Sequence, residues 1–156
     1  MKRIKAFCRP LVLSLALALG GLTLSAQVST LRTGKLPNGL TYYISKDAGA
    51  SEGTAHFYLL QNVGAILEQD HQNGLAHYLE HMAFNGSEHF PDSTLLEFTR
   101  SLGVEFGSNL NAYTSIDETV YNISNVPTEN QNVVDSCLLI LHDWSNAVLL
   151  EDKEID

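Results

Sequence analysis

Residues 74–91 read GLAHYLEHMAFNGSEHFP and carry the strongest structural signal in the chain. At about 100° per residue, a helix through this segment has one apolar side and one polar side. The apolar side holds Leu75, Leu79, Met82 and Ala83, and the polar side holds His77, Glu80 and His81. The segment therefore predicts a helix over residues 74–85, ended by Gly86, whose apolar side faces the core.

The polar side of this helix has the composition of a metal site. His77 and His81 are four residues apart, so their ring nitrogens can converge on one ion. Two imidazoles suit zinc, and a catalytic zinc site keeps one position open for water. Glu80 can reach that water as a general base. The alternative is a solvent-exposed polar face that happens to hold two histidines.

Strands are predicted before this helix. Residues 30–36 and 40–46 flank Pro37-Asn38-Gly39, and an Asn-Gly pair between two strand-like runs predicts a β-hairpin. Residues 48–53 are small and polar, which indicates a loop, and residues 54–63 are rich in β-forming side chains.

Both helices and strands are predicted after it. A second helix should begin at Asp92 or Ser93 and stop at Gly103. Residues 104–106, 109–115 and 118–125 predict strands, and Thr128-x-x-Gln131 matches a capping box ahead of a third helix. The core stripe of that helix is Val133, Cys137, Ile140, Leu141 and Trp144, and a fourth helix begins near Leu150. The order of elements predicts an α+β fold, an antiparallel sheet packed with helices, in which Cys137 is a buried apolar residue rather than a nucleophile.

The N-terminus predicts export. Residues 1–9 are basic, residues 11–24 are largely apolar, and Ser25-Ala26 supplies small residues for cleavage, so residues 1–26 are predicted to be a signal peptide. A membrane anchor is the alternative, but the apolar run is short for a span of about 20 residues. The predicted location is therefore periplasmic or extracellular, with no stable membrane span after cleavage. Cys137 is then the only cysteine of the mature chain, which excludes an intrachain disulfide.

The charge balance excludes some partners. The 156 residues carry 9 basic and 18 acidic side chains, a formal net charge of −9. Because four of the basic residues lie in residues 1–9, the remainder is more acidic still. The strongly acidic remainder of the chain argues against nucleic acid or an anionic membrane as the main partner.

The HxxEH box is the inverzincin signature, and its surroundings resemble the pitrilysin/insulysin family of zinc metallopeptidases, which includes the mitochondrial processing peptidases. The resemblance extends to Pro37-Asn38-Gly39-Leu40, to Leu102-Gly103-Val104, and to NAYTS at 111–115 followed by ETVY at 118–121. These segments occur in the family's order over nearly all of residues 30–156. The resemblance implies that residues 27–156 form the N-terminal part of a pitrilysin-type peptidase domain that is incomplete at its C-terminus.

The resemblance also implies roles for individual residues. His77 and His81 would be ligands of one zinc ion, and Glu80 would be the general base. Asn111 and Ala112 would lie on an edge strand that pairs with the substrate backbone, although an ordinary edge strand is the alternative reading. The third ligand would be a glutamate on a later helix, which we expect just beyond Asp156. Glu151 and Glu154 are expected to be solvent-facing acids. The other histidines, which have no partner at ligand spacing, are expected to be surface or capping residues: His56, His71, His89 and His142.

The implied function is that of an exported zinc metalloendopeptidase or oligopeptidase, which hydrolyses peptides or unfolded segments with metal-activated water. A homologous downstream domain or partner subunit would complete it. Two alternatives stay open at this point. One is a non-catalytic partner subunit of the same fold, against which the intact HxxEH box argues. The other is a zinc-dependent peptide-binding protein without turnover.

Overall fold

The computed structural model describes residues 31–46, 49 and 51–155, which fall into two compact units divided after Ala48. The predicted signal peptide, residues 1–26, lies outside the described residues. Within the described ranges there is no helix whose length and apolar content would suffice to cross a bilayer.

The first unit contains the predicted β-hairpin. Strands β1 (Arg32–Lys35) and β2 (Thr41–Ile44) pair antiparallel, with Lys35 opposite Thr41. The turn closes through two backbone bonds, from the N–H of Leu36 to the Leu40 carbonyl (2.8 Å) and from Gly39 N–H to the Leu36 carbonyl (2.9 Å). Gly39 has φ +93°, a left-handed conformation that glycine adopts without steric cost.

The second unit is built on a three-stranded antiparallel sheet. Strand β3 (Thr54–Gln61) pairs with β5 (Thr119–Pro127), and β5 pairs with β4 (Leu110–Thr114), which gives the order β3-β5-β4. Side chains alternate across the sheet: Leu59 is buried, whereas its neighbours Tyr58 and Leu60 are more than half exposed. One face of the sheet is therefore covered and the other is open in this part of the chain.

Helices α1 (Leu75–Asn85) and α3 (Gln131–Asn146) pack on the covered face. They join through Trp144, whose indole N–H donates to the Ala83 carbonyl at 2.9 Å. Helix α2 (Thr94–Ser101) and the single turn α4 (Asp152–Ile155) complete the unit. The predicted α+β fold is thus confirmed, as are the buried position of Cys137 and the stop of α2 before Gly103, which has φ +75°.

Two local predictions are wrong. Residues 104–106 are not a strand, because the Glu105 carbonyl accepts bonds from the N–H groups of Asn109 and Leu110 and folds the segment into a turn. Helix α3 is not capped by Thr128. Its N-cap is Asn130, whose side chain accepts from the Asn132 N–H at 3.0 Å, so Gln131 is the first helical residue.

Candidate metal centre

The N-terminus of α1 is held by a carboxylate from outside the helix. Its N-cap is Gly74, with φ +92°, which has no side chain to satisfy the free N–H groups. Glu68 supplies the acceptors instead: its Oε2 accepts from Gly74 N–H at 2.7 Å and its Oε1 from Ala76 N–H at 2.8 Å. These two bonds hold the pKa of the Glu68 carboxyl below its usual value. Sequence reasoning missed this residue, since nothing in its local pattern marks it as a cap.

The two histidines of the box face each other on the exposed side of α1. His77 Nε2 and His81 Nε2 are 3.1 Å apart, and the ring centroids are 4.6 Å apart. Zinc–nitrogen bonds of about 2.0–2.1 Å at a tetrahedral angle place two ligand nitrogens roughly 3.3 Å apart. The observed separation therefore fits two ligands of one zinc ion.

Glu80 is buried between α1 and the sheet, although it lies on the polar side of the sequence-based helical wheel. The residue is only 7% exposed, and its Oε2 accepts a hydrogen bond from Thr114 Oγ1 at 2.7 Å. Thr119 lies behind Thr114 and donates to the Val63 carbonyl at 2.9 Å. A buried carboxylate is costly unless it is hydrogen-bonded, and Thr114 supplies that bond from β4.

An aromatic layer lies beneath Glu80. Tyr121 stacks on Trp144 with centroids 5.1 Å apart, and Phe84 meets Trp144 edge-on at 5.5 Å. Burial, helped by the charge of Glu80, raises the pKa of Tyr121 to about 12. These ring contacts pack α1 against α3 and β5.

The buried face of α1 differs from the predicted one. Leu75 and Leu79, expected in the core, are 51% and 42% exposed, whereas Glu80 and Phe84 are buried with the expected Met82. The reason is the position of the sheet. Helix α1 packs against strands β4 and β5 with Glu80 and Phe84 buried, and Leu75 and Leu79 remain exposed.

Strand β4 lies at one edge of the three-stranded sheet, and its register sets which groups face outward. At one end of the β4–β5 pairing, Ser115 N–H donates to the Glu118 carbonyl, and at the other end Ser124 N–H donates to the Asn109 carbonyl. In an antiparallel pair, hydrogen-bonded and non-hydrogen-bonded residue pairs alternate, so every second residue of β4 bonds to β5. Ala112, opposite Tyr121, falls between them, so its N–H and C=O point away from β5. The Ala112 N–H is instead covered by Asn111 Oδ1 at 2.9 Å.

A cleft of about 320 Å³ opens beside His77, lined in part by Glu68, Gly74 and Thr114. Its far wall is the turn between β4 and β5. Gly64 lies against this turn so closely that a Cβ atom would be 2.5 Å from the Ser115 carbonyl oxygen. The cleft thus joins the edge strand to the HxxEH helix.

Among the described residues, neither of the two candidate acids near the end of the chain forms a three-ligand group with the histidine pair. Glu151 forms an ion pair with Lys153 at 2.8 Å, and Glu154 Oε2 accepts from Asn85 Nδ2 at 3.1 Å. Both side chains are exposed, as expected of solvent-facing acids.

The four remaining histidines are exposed, as expected, but His89 and His142 also converge on one carboxylate. His89 Nδ1 and His142 Nδ1 lie 2.8 Å and 3.4 Å from Asp143 Oδ1. The adjacent pair His142-Asp143 was visible in the sequence. That His89 also lies beside Asp143 depends on tertiary packing, and the spacing of these residues along the sequence does not indicate it.

Comparisons with known proteins identify the family. Residues 49–156 match the model described as insulinase, peptidase family M16. The chain is 38% identical to the probable zinc protease PqqL of Escherichia coli over 98% of its own length, and spans 16% of that protein. It is 34% identical to the mitochondrial-processing peptidase subunit beta of Saccharomyces cerevisiae over 86% of its length, and spans 27% of that subunit.

Solved structures agree with these relatives. The crystal structure of the periplasmic protease PqqL from Escherichia coli superposes with a TM-score of 0.75 at 40% identity, covering 81% of this chain and 14% of PqqL. The crystal structure of pitrilysin superposes with a TM-score of 0.67 at 25% identity, covering 83% of this chain and 13% of pitrilysin. Since the family model covers more than half of the chain and the fold agrees, the chain belongs to the insulinase family of peptidases, M16.

Proposed function

We propose that this chain is the N-terminal part of the peptidase domain of an exported zinc metalloendopeptidase. One observation carries the proposal: a single helix presents two imidazole nitrogens 3.1 Å apart and, on the adjoining side, a buried carboxylate fixed at 2.7 Å by Thr114. A solvated polar helix face needs neither the convergence of the rings nor a buried acid. The names of the relatives, zinc protease among them, support the same reading.

His77 and His81, whose Nε2 atoms are 3.1 Å apart, would hold one catalytic zinc ion. When bound, zinc supplies Lewis acidity, which lowers the pKa of water and polarises a carbonyl group. Glu80 acts as the general base: Thr114 donates to Oε2, which leaves Oε1 to take the proton of the attacking water and return it to the leaving amine. The hydrogen bond from Thr114 keeps this carboxylate in place during the transfer.

The edge strand binds the peptide substrate. The outward N–H and C=O of Ala112 are free to pair with an added strand once the Asn111 side chain releases the N–H. Main-chain bonds of this kind give affinity with little selectivity for side chains. Peptides and unfolded segments are therefore the proposed substrates.

The site as described needs further protein groups. Catalytic zinc normally has three protein ligands, and the third is proposed to be a glutamate beyond Asp156. A homologous domain or partner subunit is proposed to close the site, which accords with a chain that spans 16% of PqqL.

Export follows from the proposed signal peptide, residues 1–26, and the relative PqqL is described as a periplasmic protease. Periplasmic or extracellular location is therefore proposed for this protein. N-terminal sequencing of the mature protein should find a start close to Gln27. A mature protein that begins at Met1 or Lys2 would contradict the proposal.

The catalytic assignment is tested with Glu80→Gln in the full-length protein. This change removes the base but neither histidine ligand, so the zinc content should stay unchanged while cleavage of an unstructured peptide falls by about 100-fold or more. The double change His77→Ala/His81→Ala should lower the zinc content by one ion per chain. Glu52→Gln, at an exposed position, is the matched control and should retain both properties.

The same experiment separates the alternatives. A non-catalytic subunit or a zinc-dependent peptide-binding protein predicts zinc and peptide binding without turnover in the unaltered protein. Undiminished turnover in Glu80→Gln would place the base elsewhere.

A further inference from the structure

The loop that follows α1 is fastened to the end of α3 by one carboxylate. Asp143 has a fully buried side chain, and its Oδ2 accepts from Ser87 Oγ at 2.7 Å and from His89 N–H at 2.9 Å. Two backbone bonds run alongside, from Glu88 N–H to the Ala147 carbonyl and from Leu149 N–H to the Gly86 carbonyl. The orientation of the Asp143 carboxylate is therefore fixed.

The other oxygen of this carboxylate faces two imidazoles. Asp143 Oδ1 lies 2.8 Å from His89 Nδ1 and 3.4 Å from His142 Nδ1. Each of the three residues offers one ligand atom within 4.8 Å of the ligand atoms of the other two. The side chains of His89 and His142 are 44% and 56% exposed, whereas that of Asp143 is fully buried, so an ion would enter from the side of the two imidazoles.

We propose that His89, His142 and Asp143 form a second divalent-metal site, with zinc as the preferred ion. Two imidazole nitrogens and a carboxylate oxygen are zinc ligands, and bond lengths of about 2.0–2.2 Å at tetrahedral angles place such atoms roughly 3.3 Å apart. The two observed separations from Oδ1 lie on either side of this value. The bonds from Ser87 and His89 N–H to Oδ2 are the outer contacts that hold a ligating carboxylate in position.

The site shares no residue with the His77–His81 pair. The latter lies on the first turns of α1, whereas the second site is assembled beyond its C-terminal end, from the following loop and from α3. A bound ion links these two segments and stabilises the folded state by mass action. In the metal-free chain, the Nδ1–H groups of His89 and His142 donate to Asp143 Oδ1. Binding of the ion displaces these two protons from Nδ1, because a histidine nitrogen must be deprotonated to bind a metal.

The test uses four full-length proteins: the unaltered protein, His77→Ala/His81→Ala, His89→Ala/His142→Ala, and the quadruple variant. Each is dialysed against buffered zinc, and the metal content is measured by atomic emission. Cobalt titration followed by visible absorption is the second readout. We expect the His77→Ala/His81→Ala protein to keep one ion per chain and the quadruple variant to lose it. The control His71→Ala, at an exposed histidine outside both groups, should lose nothing.

Thermal unfolding checks that the result does not reflect misfolding. His89 and His142 are exposed, and their replacement by alanine leaves the bonds from Ser87 Oγ and His89 N–H to Asp143 intact. Zinc should therefore raise the Tm of the His77→Ala/His81→Ala protein and leave that of the quadruple variant unchanged. Equal metal content in these two proteins, or no ion in the first, would overturn the proposal. Failure of the catalytic assignment would give a different result. If His77 and His81 did not bind zinc, the His89→Ala/His142→Ala protein would contain no ion.

Discussion

Replacement of Thr114 by valine isolates the contact that holds the proposed base in place. Thr114 Oγ1 donates to Glu80 Oε2 at 2.7 Å, and Glu80 is 7% exposed. Valine keeps the shape of the side chain but cannot donate. A hydrogen bond to a charged group contributes about 1.5–3 kcal/mol, and the buried carboxylate would be left without this partner. Thr114→Val should therefore lower the free energy of unfolding by about 1.5–3 kcal/mol.

A double-mutant cycle assigns this loss to the pair. Replacing both partners by apolar groups of similar shape changes the free energy of unfolding little, because no buried polar group is left unpaired. The free energy of unfolding of Thr114→Val/Glu80→Met should therefore exceed the value predicted by adding the two single changes by about 1.5–3 kcal/mol. Thr114→Ser keeps the hydroxyl group and is the matched control, with a smaller loss. The cycle is measured by urea unfolding of the metal-free protein, with m-values compared to confirm a two-state transition.

Activity provides a second readout of the same contact. A base that is no longer held by β4 should lower kcat for peptide cleavage, while Thr114→Ser retains most of it. Additive free energies in the cycle, together with an unchanged kcat in Thr114→Val, would refute the reasoning, because the hydroxyl group would then neither stabilise nor position Glu80.

Two further predictions concern residues at the edges of the site. Glu68→Gln removes the anionic acceptor from the N-terminus of α1 and should lower both stability at neutral pH and zinc affinity, whereas Glu52→Gln should not. Because the folded-state pKa of Glu68 lies below its usual value of 4.5, its contribution is present above pH 4.5 and is lost as pH falls through the folded-state pKa. The free energy of unfolding of Glu68→Gln should therefore depend less on pH in that range than that of the unaltered protein. An equal pH dependence of the two proteins would contradict the capping role. Cys137 is buried, and burial raises its pKa to about 11, so a thiol reagent at pH 8 should label the native mature protein slowly and the urea-unfolded protein rapidly. Rapid stoichiometric labelling of the native protein would show that the thiol is accessible.

The elements that sequence reasoning predicted well have local causes. The hairpin follows from Asn38-Gly39, since Gly39 takes the positive φ that the turn needs. Helix α1 ends at Gly86, and the four-residue spacing of His77 and His81 places their rings together on any regular helix. Each of these signals lies within one or two turns of chain, where backbone sterics and helix periodicity decide the outcome.

Errors arose where two local signals competed. Thr128 and Asn130 are both good N-cap residues, and the capping-box spacing to Gln131 favoured Thr128. In the structure, Asn130 caps the helix and the Gln131 side chain donates to Asp135 Oδ1 at 2.8 Å. A preference of a few tenths of a kcal/mol between cap residues does not fix the first residue of a helix.

The position of Glu80 depends on information that a helical wheel does not contain. The wheel sorts side chains by polarity and assigns every charged residue to solvent, because an unpaired buried charge is costly. That cost disappears when another element supplies a donor, and here the donor comes from Thr114 on β4, 34 residues further along the chain. The histidine pair needs no such partner, since both rings stay on the exposed side of the same helix. Sequence spacing therefore suffices to predict which nitrogens come together. The environment of the proposed base is decided instead by the edge strand that also carries Ala112, the proposed substrate-pairing residue. A change in the register of β4 would move Thr114 and Ala112 together. We therefore expect such a change to break the Thr114–Glu80 hydrogen bond and to weaken peptide binding at the same time.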